Sequence, residues 1–214
     1  MSSMKAMALD FDGKARQVQV NKPKLHQKKP QLLVKVQWSA IDTAADSVLD
    51  KTWTGTFTHK TTDPLVLGWH YAGTVVECTP KVTHLKRDDK VWGFLQYDPS
   101  QKQGSFAEYI VVDEDECACQ PSNVNPEILA AASTEATTSL QALVNVGKLQ
   151  SGQSVLIVGA GGGVGSAAVQ IARNLGAQVT AVCSTKDVDR IKESYGVTNV
   201  IGRKEKPDFL LEFE

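Results

Sequence analysis

The sequence predicts an α/β protein in two parts, an N-terminal β-barrel or sandwich followed by a parallel βαβαβ sheet, with the boundary between residues 115 and 130. Three observations predict this class. Short segments that alternate apolar and polar residues, separated by turn residues, fill the first part. Strand and helix patterns take turns in the second part. Within that second part an apolar run ends in a cluster of glycines, VLIVGAGGGVGS, which then opens a helix-like pattern.

The composition is that of an ordinary globular protein. The 214 residues are 42% hydrophobic and 22% charged, with a formal net charge of −1. This charge gives no reason to expect nucleic acid or an anionic membrane as a partner. Because no apolar run is long enough to span a bilayer and the start lacks a signal-peptide layout, a cytoplasmic location is predicted. The four cysteines are interpreted as reduced structural thiols.

The strands of the first part are predicted from residue alternation. QLLVKVQW, AGTVVEC and FAEYIVV alternate apolar and polar side chains, as half-buried strands do. DFDG, TDP and YDPSQKQG are rich in turn residues. Many short strands separated by such turns favour a β-barrel or a sandwich.

The second part begins with a helix and continues as alternating strands and helices. NPEILAAASTEATTSLQALVNVG has an Asn-Pro start, helical spacing and a glycine at its end. The following segments read in order as strand, helix, strand, helix and strand: SVLIVGA, GSAAVQIARNLG, QVTAVCS, DVDRIKESYG and TNVIG. This order is typical of a parallel sheet with crossover helices.

The glycine-rich turn predicts an anion site. The first N–H groups of a helix have no partner inside it, and the helix dipole is positive at that end. Glycines let a phosphate approach the backbone closely. We predict that the pyrophosphate of a dinucleotide binds at Ala160, Gly161, Gly162, Gly163, Val164 and Gly165, an AxGxxG pattern with additional glycines. The alternative is a flexible turn in a flavodoxin-like sheet that binds no ligand.

The end of the following strand predicts NADPH as the dinucleotide. A site for NAD usually places a carboxylate about twenty residues after the glycines. Here that strand ends in Ser184, Thr185 and Lys186, with no carboxylate before Asp187. Two hydroxyls and an ammonium suit the 2′-phosphate of NADPH, and Arg203 adds a second cation. The alternative reading is that Ser184 caps the next helix and Lys186 is simply solvated.

Several motifs together resemble the medium-chain dehydrogenase/reductase superfamily, and within it the zinc-independent quinone oxidoreductase-like branch. They occur in order up to about residue 203: MKAMALD, LLVKVQWSAIDTAAD, PLVLGWHYAGTVVE, HLKRDDKVWGF, GSFAEYIVV and the glycine fingerprint. The resemblance implies a GroES-like β-barrel domain at residues 1–122 and a Rossmann domain at residues 123–214. It also implies an active site in the cleft between the two domains.

The resemblance also implies that no metal is bound. SAIDTAAD lacks the cysteine ligand of zinc-dependent members, and GWHYAG places Trp69 where their histidine ligand would be. His70 then stands in place of their acid, and a lone histidine of this kind is more often structural than a ligand. A site without metal favours quinones or α,β-unsaturated carbonyls, because these substrates delocalise the charge that the hydride brings.

Two catalytic candidates follow from the resemblance. Thr138 matches the threonine of the family's helix that lies by the nicotinamide. Asp42 lies in the AIDTAAD turn, where the family generally has asparagine, and the family's aspartate falls at Ala45 or Asp46. For Asp42 and Asp46, a catalytic role and a role as turn-forming acids are equally supported.

The length after the glycine turn limits the function. From Val155 to Glu214 there are residues for one mononucleotide-binding half, whereas a complete Rossmann domain has two. One hypothesis is a truncated NADPH-dependent reductase; the other is a non-catalytic protein that keeps half of a nucleotide site or an association surface. A parallel sheet that ends at its middle leaves an open edge, so a homo-oligomer, a dimer, is predicted under either hypothesis.

Overall fold

The computed structural model describes residues 2–9, 14–42, 65–96 and 103–208. The chain divides into two compact units, Met1–Ser133 and Thr134–Glu214. The division falls inside helix α1, which runs from Pro126 to Leu140 and continues as a π-helical turn over Gln141–Val146. The predicted domain boundary at residues 122 and 123 stays a prediction.

The described part of the first unit is built from antiparallel strands. The strands are β1 Ser3–Leu9, β2 Ala15–Asn21, β3 Gln31–Trp38, β4 Leu65–Val66, β5 His70–Cys78, β6 Lys90–Phe94, β7 Tyr109–Asp113 and β8 Cys117–Cys119. They form two sheets, with orders β2-β1-β4 and β7-β3-β5-β6-β8. Of the three segments that the residue alternation predicts as strands, QLLVKVQW and AGTVVEC lie on β3 and β5, and FAEYIVV overlaps β7, which begins at Tyr109.

The core of the first unit follows from that alternation. On β7, Ile110 and Val112 are buried while their neighbours are half-buried, as the period of two in a strand requires. Tyr71 of β5 packs in the same cluster with no exposed surface. Burial raises the pKa of the adjacent Cys117 thiol to about 12, so this thiol stays neutral. All four cysteines are free thiols.

Glu114 connects the end of β7 to the loop before β6. It lies in the short 3-10 turn Glu114–Glu116. Its carboxylate accepts the backbone N–H groups of Thr83, His84 and Leu85 at 2.9, 2.5 and 3.1 Å. These hydrogen bonds lower the pKa of Glu114 because they favour its charged form, and the bond from His84 has the largest effect.

The second unit contains a parallel sheet with crossover helices. Its elements are β9 Ser154–Val158, α2 Gly163–Asn174, β10 Gln178–Cys183, α3 Val188–Tyr195 and β11 Asn199–Gly202. The strand order is β11-β10-β9, and both pairs are parallel. Val169 and Ala172 of α2 and Ile191 of α3 are fully buried in its core.

This arrangement confirms the predicted fold class, a β-rich N-terminal domain followed by part of a Rossmann domain. Each strand and helix after the glycine turn lies where its sequence pattern predicts it, within one or two residues. In the described ranges, every helix is too short or too polar to cross a lipid bilayer.

Candidate functional site

The glycine turn is held against β10 by backbone hydrogen bonds. Gly159 follows β9 with φ +85°, a left-handed conformation that glycine adopts without strain. The N–H groups of Gly159 and Ala160 both donate to the carbonyl oxygen of Val182, at 2.9 and 3.0 Å. Ala160 is completely buried, so it anchors the turn and does not face solvent.

Gly165 is the residue that lets α2 pack closely on this turn. A Cβ at this position would lie 2.1 Å from the carbonyl oxygen of Gly159 and 2.8 Å from the Cα of Ala160. Both neighbours are backbone atoms, so they cannot rotate away. A Cβ on Gly162 would instead meet the Gly159 oxygen at 3.5 Å, an ordinary contact.

The first turn of α2 presents free backbone donors. Gly162 is the N-cap residue in an extended conformation, and the N–H of Ser166 donates to its carbonyl oxygen at 2.9 Å. The N–H groups of Gly163, Val164 and Gly165 precede that first bond and have no hydrogen-bond partner among the residues that the structure describes. Free N–H groups at a helix N-terminus suit an anion, so this geometry is compatible with the anion site that the glycine spacing predicts, which stays a prediction.

A pocket of about 280 Å³ adjoins this turn at the carboxyl end of β10. Ligands of open parallel sheets bind at this end of the strands. Its lining combines glycine backbone, two apolar strand residues, a thiol and polar groups: Val158, Gly159, Gly161, Gly162, Val182, Cys183, Ser184, Asp187 and Arg203. Four of the predicted cofactor residues, Gly161, Gly162, Ser184 and Arg203, therefore line one pocket.

The other residues predicted for the 2′-phosphate lie beside this pocket. Thr185 and Lys186 form a 3-10 turn with Asp187 and are not among the lining residues. The hydroxyl of Thr185 is buried and has no hydrogen-bond partner in the described part of the chain. Ser184 occupies the N-cap position of the turn, but its side chain makes no capping hydrogen bond. Its hydroxyl is therefore not used as a cap.

Asp187 and Arg190 are site residues that the sequence did not single out. Arg190 donates to Asp187 Oδ1 at 3.1 Å and to the carbonyl oxygen of Gly161 at 2.9 Å. The hydrogen bond to Asp187 raises the pKa of Arg190, which stays charged. The pair thus fixes the glycine turn to the start of α3. In the sequence, this pair is indicated only by the spacing of three residues between Asp187 and Arg190 at the start of a helix.

Cys183 lines the pocket as a neutral group. Its side chain is buried, and burial raises the pKa of the thiol. A protonated thiol adds no negative charge beside a bound phosphate, so Cys183 leaves the electrostatics of the pocket to its charged neighbours.

The two catalytic candidates lie in different units. In the first unit, Asp42 Oδ2 lies 3.5 Å from His70 Nε2, and the side chains are 14% and 1% exposed. His70 begins β5, and its carbonyl oxygen accepts the hydroxyl of Ser39 at 2.6 Å. In the second unit, Thr138 is exposed on α1. The alternative candidate Asp46 lies outside the described residues.

No group of three or more potential metal ligands occurs within the described ranges. Asp42 and His70 lie 3.5 Å apart, and among the described residues they are not part of a larger group of potential metal ligands. Freedom from zinc stays a prediction based on the missing cysteine and histidine of the motifs.

Comparison with known proteins agrees with this architecture. Residues 28–122 match the family described as the alcohol dehydrogenase GroES-like domain. The mitochondrial NAD(P)H oxidoreductase RTN4IP1 of Danio rerio is 36% identical over 142 residues, 64% of this chain and 36% of that protein. The 2-methylene-furan-3-one reductase of Solanum lycopersicum is 34% identical over 173 residues, 77% of this chain and 43% of that protein. The chain thus spans less than half the length of these relatives.

Two solved structures superimpose on nearly the whole chain. An alcohol dehydrogenase superfamily protein from Novosphingobium aromaticivorans has a TM-score of 0.85 at 26% identity, over 98% of this chain and 61% of its own. The quinone oxidoreductase from Coxiella burnetii has a TM-score of 0.84 at 25% identity, over 99% of this chain and 65% of its own. These matches confirm the resemblance that the sequence motifs predict.

Proposed function

We propose that this chain, which has the fold and motifs of the medium-chain dehydrogenase/reductase superfamily, acts in an NADPH-dependent oxidoreductase that reduces a quinone or an α,β-unsaturated carbonyl compound without zinc. The observation that carries the proposal is the glycine turn with free N–H groups beside a polar pocket at the end of β10. The names of similar proteins, an NAD(P)H oxidoreductase and a quinone oxidoreductase, support the same reaction class.

The residues of the second unit fit the adenosine diphosphate side of the cofactor. The N–H groups of Gly163, Val164 and Gly165 would hold the pyrophosphate, since the positive end of a helix favours an anion. Gly162 leaves space for it, because a Cβ there would meet only one neighbouring atom. When bound, the cofactor supplies the hydride.

NADPH is proposed over NADH because Ser184 and Arg203 line the pocket and Lys186 lies beside it. A charge-assisted hydrogen bond contributes about 1.5–3 kcal/mol. Asp187 favours the second candidate, NADH, since a carboxylate in this place accepts hydrogen bonds from ribose hydroxyls. The ion pair with Arg190 offsets the negative charge of Asp187, which supports NADPH as the cofactor.

The relative affinities for the two cofactors test this choice. We expect Arg203→Ala to weaken NADPH binding by about ten- to a hundredfold and to leave NADH binding unchanged, because only NADPH carries the 2′-phosphate. Cofactor fluorescence titration measures both dissociation constants. Lys192→Ala, an exposed cation on α3 outside the pocket, serves as the matched control. Tighter binding of NADH than NADPH, with Arg203→Ala weakening both equally, would contradict the proposal.

Within the first unit, we assign proton delivery to Asp42 and His70. Protonation must follow hydride transfer to a quinone or enone, and a positioned acid contributes about 10²–10⁴-fold. The 3.5 Å contact lets Asp42 Oδ2 orient the imidazole at Nε2. Thr138 on α1 is proposed to lie by the nicotinamide, as in the resembling family.

Turnover distinguishes the enzyme from the alternative, a non-catalytic nucleotide-binding or association protein. The assay follows NADPH oxidation with phenanthrenequinone. We expect activity in the wild type and a fall of at least about tenfold in kcat for Asp42→Asn, with its pH profile altered. Binding of NADPH without any turnover would favour the alternative, and absence of both would contradict the cofactor site.

Self-association is proposed as well. In the described part of the sheet, β9 pairs only with β10, and Val158 at its end is 57% exposed. An open edge with exposed apolar side chains favours pairing between chains. Light scattering at increasing concentration will give the mass of a dimer if this proposal holds and of one chain if it fails. A cytoplasmic location also stays a proposal, to be tested by cell fractionation, since RTN4IP1 is named a mitochondrial protein.

A further inference from the structure

A carboxylate already lies against the first turn of α2. The side chain of Glu135, on α1, approaches Gly163 so closely that a Cβ on that glycine would lie 2.7 Å from Glu135 Cγ and 3.3 Å from Oε1. Both residues belong to the second unit. The contact therefore depends on the absence of a side chain at the position where the helix begins.

The Glu135 side chain is partly buried there. Glu135 Oε2 is buried and has no hydrogen-bond partner among the described residues. Burying a charged oxygen without a hydrogen bond is unfavourable unless an opposite charge compensates. The nearby positive end of α2 is such a compensating field, since its first N–H groups are free.

Ser139 fixes α1 in this position. Its buried hydroxyl lies 2.8 Å from the carbonyl oxygen of Glu135 and 2.7 Å from that of Val164. One side chain thus joins the turn of α1 that carries Glu135 to the first turn of α2. The backbone of Glu135 is thereby held near the first turn of α2, so its side chain is the part that is able to move away.

We propose that Glu135 is a built-in competitor for the pyrophosphate site and sets the affinity of the chain for dinucleotides. This inference rests on the proposed cofactor site. A carboxylate beside the first turn of α2 and a pyrophosphate on its amides repel each other, so binding requires the Glu135 side chain to rotate away. In the ligand-free protein, the helix dipole stabilises the Glu135 carboxylate. This stabilisation is lost when a bound ligand displaces the carboxylate.

Substitution of the carboxylate by an amide of the same shape tests this directly. We expect Glu135→Gln to tighten binding of NADPH and of ADP-ribose by about tenfold, because the like charge is removed. Binding of 2′-AMP, which carries the adenosine phosphate but no pyrophosphate, should stay unchanged. Glu135→Ala should act in the same direction. Glu127→Gln, an exposed carboxylate on the same helix, is the matched control.

The ligand-free protein gives a second readout. Because a carboxylate at a helix N-terminus is stabilising, Glu135→Gln should lower the unfolding midpoint by about 1–3 °C while it tightens ADP-ribose binding. Raised salt should reduce the difference in affinity between wild type and variant, since screening weakens the repulsion.

The outcomes separate this inference from the proposed function. Dissociation constants for NADPH and ADP-ribose that agree within twofold between wild type and Glu135→Gln would overturn the inference and leave the cofactor site standing. An equal change in 2′-AMP binding would also overturn it, because the effect would then not be specific to pyrophosphate. If no variant binds any of the three nucleotides, both the cofactor site and the inference fail.

Discussion

At the scale of single residues, the glycines of the turn are not equivalent. Gly165 faces the backbone of Gly159 and Ala160, where a methyl group has no space. Gly162 has space for one, and its φ of −86° is open to any residue. Close packing of α2 on the glycine turn therefore requires glycine at position 165, whereas position 162 has space for a larger residue.

Alanine substitution measures that difference. We expect Gly165→Ala to lower the free energy of unfolding by about 3 kcal/mol, since backbone atoms must shift to relieve the contact. Gly162→Ala, the matched control, should change it by less than about 1 kcal/mol. Urea denaturation followed by circular dichroism gives both values. Equal destabilisation by the two variants would show that the close approach at Gly165 is not what fixes the turn.

Residue spacing predicted the part of the site that depends on local structure. A strand, a glycine turn and a helix follow one another in sequence, so the free N–H groups in the first turn of α2 were accessible to prediction. The partners of Gly161 and Gly163 were not. Arg190 is 29 residues away from Gly161, and Glu135 reaches Gly163 from another helix, so both contacts depend on tertiary packing.

At the scale of elements, loops are held by side chains that reach their backbone. The loop before β6 has its N–H groups at residues 83–85 satisfied by one carboxylate, that of Glu114. The folded state lowers the pKa of this group, so its contribution to stability is present above the pKa of the unfolded chain. That contribution is lost as the pH falls through the folded pKa.

Removal of this carboxylate should therefore have a pH-dependent effect. We expect Glu114→Gln to be less stable than wild type at pH 7, because an amide offers one acceptor oxygen in place of two. The difference should shrink as the pH is lowered through about 4 and below, where glutamates become protonated. Urea titrations across this range provide the measurement, and Asp115→Asn in the same turn is the control. A difference that is constant with pH would contradict the assigned role.

Elements were predicted well where one period dominates the pattern. β7 and α2 each show a single period of apolar residues and lie where the sequence places them. The C-terminal end of α1 was not predicted in the same detail, because Gln141–Val146 continue the helix as a π-helical turn. Helical periodicity does not distinguish a π turn from an α turn over so few residues, because the change is less than one residue per turn.

At the scale of the whole molecule, the residues proposed to bind the nucleotide are confined to one of two compact units. The glycine turn, the pocket and Glu135 all belong to Thr134–Glu214. The GroES-like match at residues 28–122 lies entirely in the other unit. A ligand that binds only the second unit stabilises that unit by mass action.

Unfolding in the presence of NADP+ tests this assignment. At a concentration one hundred times its dissociation constant, NADP+ should stabilise the second unit by about 2.7 kcal/mol. Helices α2 and α3 lie in this unit, so its unfolding contributes strongly to the circular dichroism signal at 222 nm. The midpoint of that signal should rise with NADP+ concentration. An unchanged midpoint at saturating NADP+ would contradict binding to the folded unit.

The division into two units gives the chain a natural optical label. All four tryptophans, Trp38, Trp53, Trp69 and Trp92, fall within Met1–Ser133, and the second unit has none. Indole emission therefore reports on the first unit alone, whereas the helical signal reports largely on the second unit. If the two units unfold separately, the unfolding midpoint measured by indole emission will not change with NADP+ concentration, whereas the midpoint measured by circular dichroism will rise. The comparison needs no attached dye.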